Sequence, residues 1–224
     1  MKKHLALTAA LGLALTFTAC EEKEAAKKPT EPATTTQQPS QEAAATASES
    51  QPSEQKCPNA VTGNGTLSCG GKTYKTVKIG NQTWMAENLN FETEKSYDWT
   101  VSGRLYDWEP ATKACPSGWH LPSNEEWKVL VTAVGGEKTA GKYLKAKSGW
   151  KFGNGTDDFG FSALPGGIGL PDGLGNDHLG YWWSATPRDS DNVYCLSMGR
   201  PGDGVELTYE DKYNSSLNVR CIKD

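Results

Sequence analysis

The sequence contains few of the patterns on which common catalytic sites are built. Only three of its 224 residues are histidines, and no H-E-x-x-H, G-x-S-x-G, G-x-G-x-x-G or phosphate-loop pattern occurs. No two cysteines have the C-x-x-C spacing that is typical of zinc sites. These absences predict a protein that is not an enzyme and has no resident cofactor.

Positive charge is also scarce in this sequence. Lysine and arginine together number 23 against 27 aspartates and glutamates, which gives a net charge of −4. The sequence contains no basic patch that would attract a phosphate backbone. We therefore predict no nucleic-acid partner.

Long hydrophobic runs are absent except near the N-terminus, where two lysines precede an apolar run at residues 5–17. This run is shorter than the roughly 20 apolar residues that a membrane-spanning helix needs. It ends in Phe-Thr-Ala-Cys20, which resembles the bacterial lipobox except that Phe17 replaces the usual leucine. The pattern predicts a lipoprotein signal peptide over residues 1–19 and a membrane anchor on acylated Cys20. The alternative is an ordinary cleaved signal peptide beside an unmodified cysteine.

The segment that follows the lipobox indicates how the protein is displayed. Residues 21–56 contain no aromatic residue and no aliphatic residue larger than alanine. This composition predicts a disordered linker, so that the lipidated cysteine and the linker together span residues 20–56. Glu21 stands where an aspartate would retain a lipoprotein in the inner membrane, which favours the outer membrane. The remaining segment, residues 57–224, is long enough for one domain with a hydrophobic core.

Five cysteines remain after the lipobox, and an odd number in an oxidising compartment leaves at least one thiol unpaired within the chain. Cys57 and Cys69 are close in sequence and flank a loop-like segment, which predicts a local disulfide bond. Cys115 and Cys221 then join an early element to the last strand, and Cys195 is left over. A competing pairing of Cys195 with Cys221 across neighbouring strands stays open.

Hydrophobic periodicity predicts the elements of the domain. Alternation in Thr73–Ile79 and Thr83–Leu89, separated by Gly-Asn-Gln, predicts a β-hairpin. A capping box at Ser123 before apolar residues at helical spacing predicts a helix, and a second helix is expected at Thr139–Lys147. Four further strands are predicted at Tyr181–Thr186, Asn192–Met198, Gly204–Glu210 and Leu217–Ile222. The order of elements predicts an α+β fold with a mainly antiparallel sheet, two helices and long Gly-rich loops.

Several long motifs follow one another from Gly71 to the C-terminus. They are Lys72-Thr-Tyr-Lys-Thr-Val-Lys-Ile-Gly-Asn-Gln-Thr-Trp-Met-Ala-Glu-Asn-Leu-Asn90, Gly103-Arg-Leu-Tyr-Asp-Trp108, Ala114-Cys-Pro-Ser-Gly-Trp-His-Leu-Pro-Ser123 with Glu126-Trp127, Trp183-Ser-Ala-Thr186, and Val219-Arg-Cys-Ile-Lys-Asp224. In these motifs the chain closely resembles the Fibrobacter succinogenes major paralogous domain.

The resemblance implies an exported, often lipid-anchored bacterial protein with a fold similar to that of C-type lectins and the formylglycine-generating enzyme. Its implications concern fold and location rather than activity. The chain departs from the family pattern in one segment. Family members often carry a cysteine pair between the Asn-Leu-Asn and Gly-Arg-Leu-Tyr motifs, whereas residues Phe91–Ser102 contain none.

A formylglycine-generating type of oxidase is the less favoured alternative function. It would need a reactive cysteine pair, for which Cys195 and Cys221 are the candidates, but the sequence around them does not match the active-site pattern of those enzymes. His120 lies between Trp119 and Leu121 in a motif. We predict that it is a structural, hydrogen-bonding histidine rather than a general base.

The Gly-rich segment Gly166–Gly180 is the candidate binding region. Its residues Asp172, Asn176 and Asp177 have oxygen atoms of the kind that bind Ca²⁺, so a calcium site is one hypothesis. The Glu-Pro-Asn and Trp-Asn-Asp signatures of calcium-dependent lectins are missing, however. A lectin-like fold therefore does not by itself imply calcium-dependent sugar binding.

The tryptophans divide by position into two groups. Those within the motifs are predicted to fill the core. Trp99, Trp150 and Trp182 are freer to stack on a ligand, although burial is the commoner state for each, and Trp182 is included with the candidate ligand-binding residues. Taken together, the sequence predicts a lipid-anchored binding or display module of the cell envelope. Polysaccharide is the first ligand class, a protein partner the second, and a purely structural surface role the third.

Overall fold

The computed structural model describes Cys57, residues 61–63 and residues 65–224. The predicted signal peptide, Cys20 and the predicted linker lie outside the described residues. The helices are α1 (Trp108–Ala114), α2 (Asn124–Ala133) and α3 (Ala140–Leu144). None of the helices in this part of the chain has the length and hydropathy that crossing a bilayer requires.

The strands are short and occur throughout the domain. They are β1 (Val61–Gly63), β2 (Thr66–Cys69), β3 (Lys72–Ile79), β4 (Gln82–Met85), β5 (Ser96–Tyr97), β6 (Leu105–Asp107), β7 (Trp119–His120), β8 (Ile168–Leu170), β9 (Gly173–Gly175), β10 (Gly180–Pro187), β11 (Asn192–Met198), β12 (Val205–Asp211), β13 (Ser216–Asn218) and β14 (Ile222–Lys223). The predicted hairpin is formed by β3 and β4.

The strands form two sheets. The first has the order β1-β2-β3-β4-β14-β7, and the second has the order β12-β11-β10-β13-β6-β5, with the β8–β9 hairpin attached to β13. Among the strand pairs of the described residues, only β10 with β13 is parallel. The predicted α+β class with mainly antiparallel pairing is therefore confirmed.

Strand β10 lies in the interior of the second sheet, between β11 and β13. Successive side chains of a strand point to opposite faces, so neighbouring tryptophans on β10 enter different cores. Trp183 packs with Cys195 in one hydrophobic cluster, and Trp182 packs with Leu196 in the other. Because both faces of the sheet are covered at this strand, every residue of Gly180–Ser184 is buried.

The helix predicted after Ser123 is present as α2, and its N-terminus has the predicted capping box. Ser123 Oγ accepts a hydrogen bond from the Glu126 N–H at 3.2 Å, and Glu126 Oε2 accepts one from the Ser123 N–H at 2.7 Å. Trp127, Leu130 and Val131 are buried in the second cluster. The helical spacing of these apolar residues thus gives the helix the buried face that the sequence indicated.

Tertiary packing changes several predicted elements. Helix α3 ends at Leu144 rather than at Lys147, because Lys145 is extended and bridges to Ala163. The predicted strand Leu217–Ile222 is divided, since β13 belongs to the second sheet and β14 to the first. Helix α1 was not predicted, and the segment between the first two cysteines of the domain contains β1 and β2 rather than a loop alone.

Candidate ligand-binding surface

The structure contains both disulfide bonds that were expected from the sequence, Cys57–Cys69 and Cys115–Cys221. Cys195 is a free, fully buried cysteine, and burial raises the pKa of its thiol well above the usual value. The competing pairing of Cys195 with Cys221 is wrong, because Cys221 is bonded to Cys115. These two residues therefore do not form the reactive pair that an oxidase would need.

Asn88, in the Asn-Leu-Asn motif, is the centre of a buried hydrogen-bond network. Its Oδ1 accepts hydrogen bonds from Trp182 Nε1 at 2.8 Å and from Arg220 Nε and Nη2 at 3.0 and 2.6 Å. Its Nδ2 donates to the Ser102 carbonyl at 2.8 Å. One amide thus connects four segments that are far apart in the sequence.

Arg220 is buried without a carboxylate partner at ion-pair distance within the described residues. Its guanidinium donates two hydrogen bonds to Asn88 and two to backbone carbonyls. Burial lowers the pKa of Arg220 to about 9, although Glu87 and Asp157 oppose this effect, so the group stays cationic at neutral pH. A guanidinium has five N–H donors, and these bonds leave one N–H on Nη2 without an acceptor in this part of the chain.

The prediction that Trp182 binds a ligand is wrong. Its side chain has no exposed surface, because β10 is covered on both faces and the indole N–H is bonded to Asn88. Trp150 is buried as well, and its Nε1 donates to the Ala163 carbonyl at 2.9 Å. Of the three tryptophans outside the motifs, only Trp99 is accessible, with 45 % of its surface exposed.

Both ring nitrogens of His120 face carboxylates. Nδ1 lies 2.6 Å from Asp224 Oδ1, and Nε2 lies 2.8 Å from Glu126 Oε1. Burial alone would lower the pKa of His120, but the hydrogen bonds that the imidazole donates to Asp224 and Glu126 outweigh burial and raise it. Since Glu126 also closes the capping box of α2, the imidazole connects that helix to β7, which supports a structural role.

The predicted oxygen ligands for calcium lie on or beside the β8–β9 hairpin but do not meet. Asp172 is in the two-residue turn of the hairpin, whereas Asn176 and Asp177 follow its second strand. The length of that strand places the two ends about 10 Å apart. Across the described residues, no three His, Cys, Asp or Glu side chains are placed to hold a metal ion. The hairpin therefore offers no joint site built from Asp172, Asn176 and Asp177.

We give the name aromatic surface to four side chains: the half-buried Tyr97 and the exposed Trp99, Val101 and Leu174. The rings of Tyr97 and Trp99 are stacked, with centroids 4.7 Å apart and an interplanar angle of 26°. Leu174 is 41 % exposed and Val101 fully exposed. Tyr97 covers part of the indole, and 45 % of the Trp99 surface stays exposed.

Gly169 on β8 allows Trp99 to approach the hairpin closely. A Cβ atom at this position would lie 2.9 Å from Trp99 Cζ3, which is closer than carbon atoms pack. Gly169 pairs directly with Leu174 on β9, and directly paired residues place their side chains on the same side of a sheet. Leu174 therefore lies on the same face of the hairpin as Trp99.

The loop that carries Trp99 is held by polar contacts around Ser96. The Thr93 N–H donates to Ser96 Oγ at 2.9 Å. Arg104 Nε donates to the same oxygen at 3.0 Å, and Arg104 Nη2 donates to the Ser96 carbonyl at 3.1 Å. Arg104 also lies 3.4 Å from the carboxylate of Glu92. These contacts fix the loop without a disulfide bond.

An open cleft of about 270 Å³ adjoins the aromatic surface, and Val101 belongs to both. Three Cα steps separate Trp99 from Ser102 in the cleft, a distance of at most about 11 Å. The polar and charged side chains of the lining are Lys72, Thr73, Glu87, Asn88, Asn90, Ser102, Ser162 and Arg220. One ligand chain could therefore contact the aromatic surface and the cleft together.

Tyr97, Val101 and Leu174 were not predicted from the sequence. The alternation Tyr97-Asp-Trp99 is a signal that could have found two members, since a period of two places them on one side of an extended chain. Val101 lies in a turn, so the same alternation does not place its side chain. Leu174 gave no comparable signal. Its place on the same face as Trp99 depends on the register of the β8–β9 hairpin, which the Gly-rich sequence does not specify.

The fold and its cross-links define a disulfide-bonded α+β domain in which two mainly antiparallel sheets enclose two hydrophobic clusters. Residues 77–223 match the Fibrobacter succinogenes major domain, and the chain belongs to that family. Comparison with curated proteins and with solved structures finds no match.

Proposed function

We propose that this protein is a lipoprotein, anchored in the cell outer membrane through Cys20, whose C-type-lectin-like domain binds carbohydrate. The binding site is the aromatic surface together with the adjoining cleft. One observation carries the proposal: Trp99 is stacked on Tyr97 and still exposes 45 % of its surface. The function is binding and not catalysis.

The size of the aromatic surface favours a sugar over a protein partner. From the exposed fractions of its members, the patch presents on the order of 300 Å² of apolar area. A stable protein interface buries about 800 Å² on each partner. A few sugar rings need much less, so the patch fits a polysaccharide segment better.

The chemistry beside the patch also suits a sugar. A pyranose ring has an apolar C–H face, which packs on an exposed aromatic ring, and a rim of hydroxyl groups, which need hydrogen-bond partners. The cleft supplies amide and hydroxyl groups at Asn90 and Ser102. Stacking on Trp99 and hydrogen bonding in the cleft can therefore act on one ligand.

The groups that catalysis would require already have other contacts. His120 is engaged by two carboxylates, and Glu126 is engaged by His120 and by the N-terminus of α2. Cys221 is in a disulfide bond, and Cys195 is buried. These contacts support a binding module rather than an enzyme.

Sequence features typical of exported proteins support the same proposal. The lipobox-like segment before Cys20 and the polar linker after it suit a domain held away from a membrane. The two disulfide bonds suit an oxidising compartment outside the cytoplasm.

Binding of the purified full-length chain with Cys20→Ser to a panel of soluble and insoluble polysaccharides tests the proposal. Trp99→Ala should weaken binding at least about tenfold, because it removes the stacking area. Tyr213→Ala is the matched control, since Tyr213 is an exposed aromatic residue outside the aromatic surface. Chelation with EDTA should not change binding, because the aromatic surface contains no metal ligand.

Two results would contradict the proposal. The first is a chain that binds no polysaccharide in the panel, which would move the function to a protein partner or a structural surface role. The second is equal binding by Trp99→Ala and the unchanged chain. Loss of binding in EDTA would mean that binding depends on calcium rather than on aromatic stacking.

A further inference from the structure

The cleft beside the aromatic surface contains a buried positive charge with no carboxylate at ion-pair distance among the described residues. Arg220 has 1 % of its surface exposed and lines the cleft. Its hydrogen-bond acceptors are the neutral oxygens of Asn88 and two backbone carbonyls. Carbonyl oxygens reduce the cost of burying a charge but do not cancel its field.

The field of this charge is directed into the cleft. A cleft with low-dielectric walls concentrates field lines, and a buried charge is screened much less than a surface charge. The exposed ammonium of Lys72 adds a second positive charge to the lining, while Glu87 supplies the one carboxylate there. The lining therefore has two positive charges and one negative charge, although Asp157 behind Ser162 also acts on Arg220 and the whole chain has a net charge of −4.

One of the guanidinium N–H groups also lacks a hydrogen-bond acceptor. One N–H on Arg220 Nη2 has no acceptor within the described residues, and guanidinium N–H groups form their strongest hydrogen bonds with carboxylates and phosphates. The opposing Glu87 carboxylate accepts a hydrogen bond from the Lys75 N–H at 3.1 Å. Glu87 is thus held on the wall beyond ion-pair distance from Arg220, although its charge raises the pKa of Arg220.

We propose that the carbohydrate bound by this protein is an acidic polysaccharide, with a uronic acid carboxylate entering the cleft while a neighbouring ring packs on Trp99. This inference rests on the proposed carbohydrate binding and names the class of sugar. The span of at most about 11 Å between Trp99 and the cleft allows neighbouring rings of one chain to reach both places.

The test compares polygalacturonate with the same polymer in fully methyl-esterified form, because esterification removes the charge and keeps the rings. The full-length chain with Cys20→Ser should bind the charged polymer at least about fivefold more tightly in low salt. High salt should reduce this difference. A preference for the esterified polymer, or none, would overturn the inference.

Charge changes on the cleft walls test the site without disturbing the buried network. Lys72→Glu should weaken binding of polygalacturonate about fivefold, and Glu87→Gln should strengthen it. The glutamine keeps an oxygen for the Lys75 N–H. Lys78→Glu is the matched control, since Lys78 is exposed on the same strand but does not line the cleft. An equal effect of Lys78→Glu and Lys72→Glu would overturn the inference.

Trp99→Ala separates failure of this inference from failure of the proposed function. If Trp99→Ala weakens binding of both polymers equally and the cleft variants change nothing, the protein binds carbohydrate but does not select acidic sugars. If the unchanged chain binds neither of these polymers nor any other polysaccharide, the proposed function itself is wrong.

Discussion

Trp182 and Trp99 represent two regions of this molecule with opposite properties. Trp182 is fully buried and donates a hydrogen bond to Asn88, the centre of a network that connects several motifs. Trp99 is half-exposed, stacks on Tyr97 and lies in a segment between motifs. Both tryptophans lie outside the motifs, so the comparison indicates that packing decides which of them is accessible: β10 is covered on both faces and buries Trp182, whereas Trp99 keeps an exposed surface.

The loop of Trp99 is also where the chain departs from the family pattern. Other members often have a cysteine pair in this segment, and here the loop is held by Ser96, Arg104 and the stacked rings instead. In this loop, polar contacts and ring stacking leave the indole partly exposed. The segment that differs from the family is therefore the one in which we place the ligand.

The largest predicted effect is the difference in stability between alanine variants of these two tryptophans. Trp182→Ala should lower the free energy of unfolding by about 3–5 kcal/mol, because it leaves a large cavity in a packed core. Trp99→Ala should lower it by no more than about 1 kcal/mol, since much of that side chain is already exposed. Urea denaturation of both variants measures the difference. Similar losses for the two variants would contradict the division between core and ligand surface.

The second prediction concerns the network around Asn88. Asn88→Ala should lower the free energy of unfolding by about 3 kcal/mol, because a buried guanidinium and an indole N–H lose their acceptor. Asn90→Ala is the matched control in the same motif, since it keeps the bond from the Asn90 N–H to the Tyr74 hydroxyl. If both variants unfold at the same urea concentration, the network contributes little to stability.

The smallest predicted effect is the pH dependence of the His120 contacts. The folded-state pKa of His120 is raised above 6.5. Its contribution to the free energy of unfolding is therefore fully present below about pH 6.5 and is lost as pH rises through the folded-state pKa. Burial alone would raise the pKa of Glu126, but hydrogen bonds from Ser123 and His120 lower it below 4.5. The Glu126 contribution is therefore present above about pH 4.5 and is lost as pH falls.

These two shifts predict that the contacts are strongest between about pH 4.5 and 6.5. His120→Gln should cost less than about 1 kcal/mol near pH 5.5, because the ring is partly exposed to solvent, and less again near pH 8.5. Urea midpoints of the unchanged chain and the variant at both pH values measure this. A larger cost near pH 8.5 would show that the protonated imidazole is not the stabilising form.

Local signals in the sequence were enough to predict much of the fold. The capping box and helical spacing after Ser123 predicted α2, and alternation around Gly-Asn-Gln predicted the β3–β4 hairpin. Both depend on neighbours in sequence, so no knowledge of distant partners is needed. Lys145 and the segment Leu217–Ile222 were mispredicted for the opposite reason, since strand pairing with distant residues sets their backbone.

The candidate site was harder to predict than the fold. A tryptophan outside every motif can be buried like Trp182 or exposed like Trp99, and the difference depends on whether elements cover both faces of its strand. The proposed calcium ligands on the Gly-rich hairpin were close in sequence, yet the paired strand separates Asp172 from Asn176 and Asp177. Proximity along a chain does not by itself produce a site when the segment between is extended.

The sequence by itself determined the α+β class and helix α2, which follow from local periodicity and capping, and the family, which follows from its motifs. It predicted the two disulfide bonds but left the pairing of Cys195 with Cys221 open, and the structure excluded that pairing. Only the tertiary structure decided which tryptophan is accessible, that Leu174 shares a face of the hairpin with Trp99, and that Arg220 is buried beside a cleft with no carboxylate at ion-pair distance among the described residues. Those properties depend on register and on the packing of segments more than a hundred residues apart. Long-range packing, rather than local sequence, therefore sets the chemistry of the proposed site.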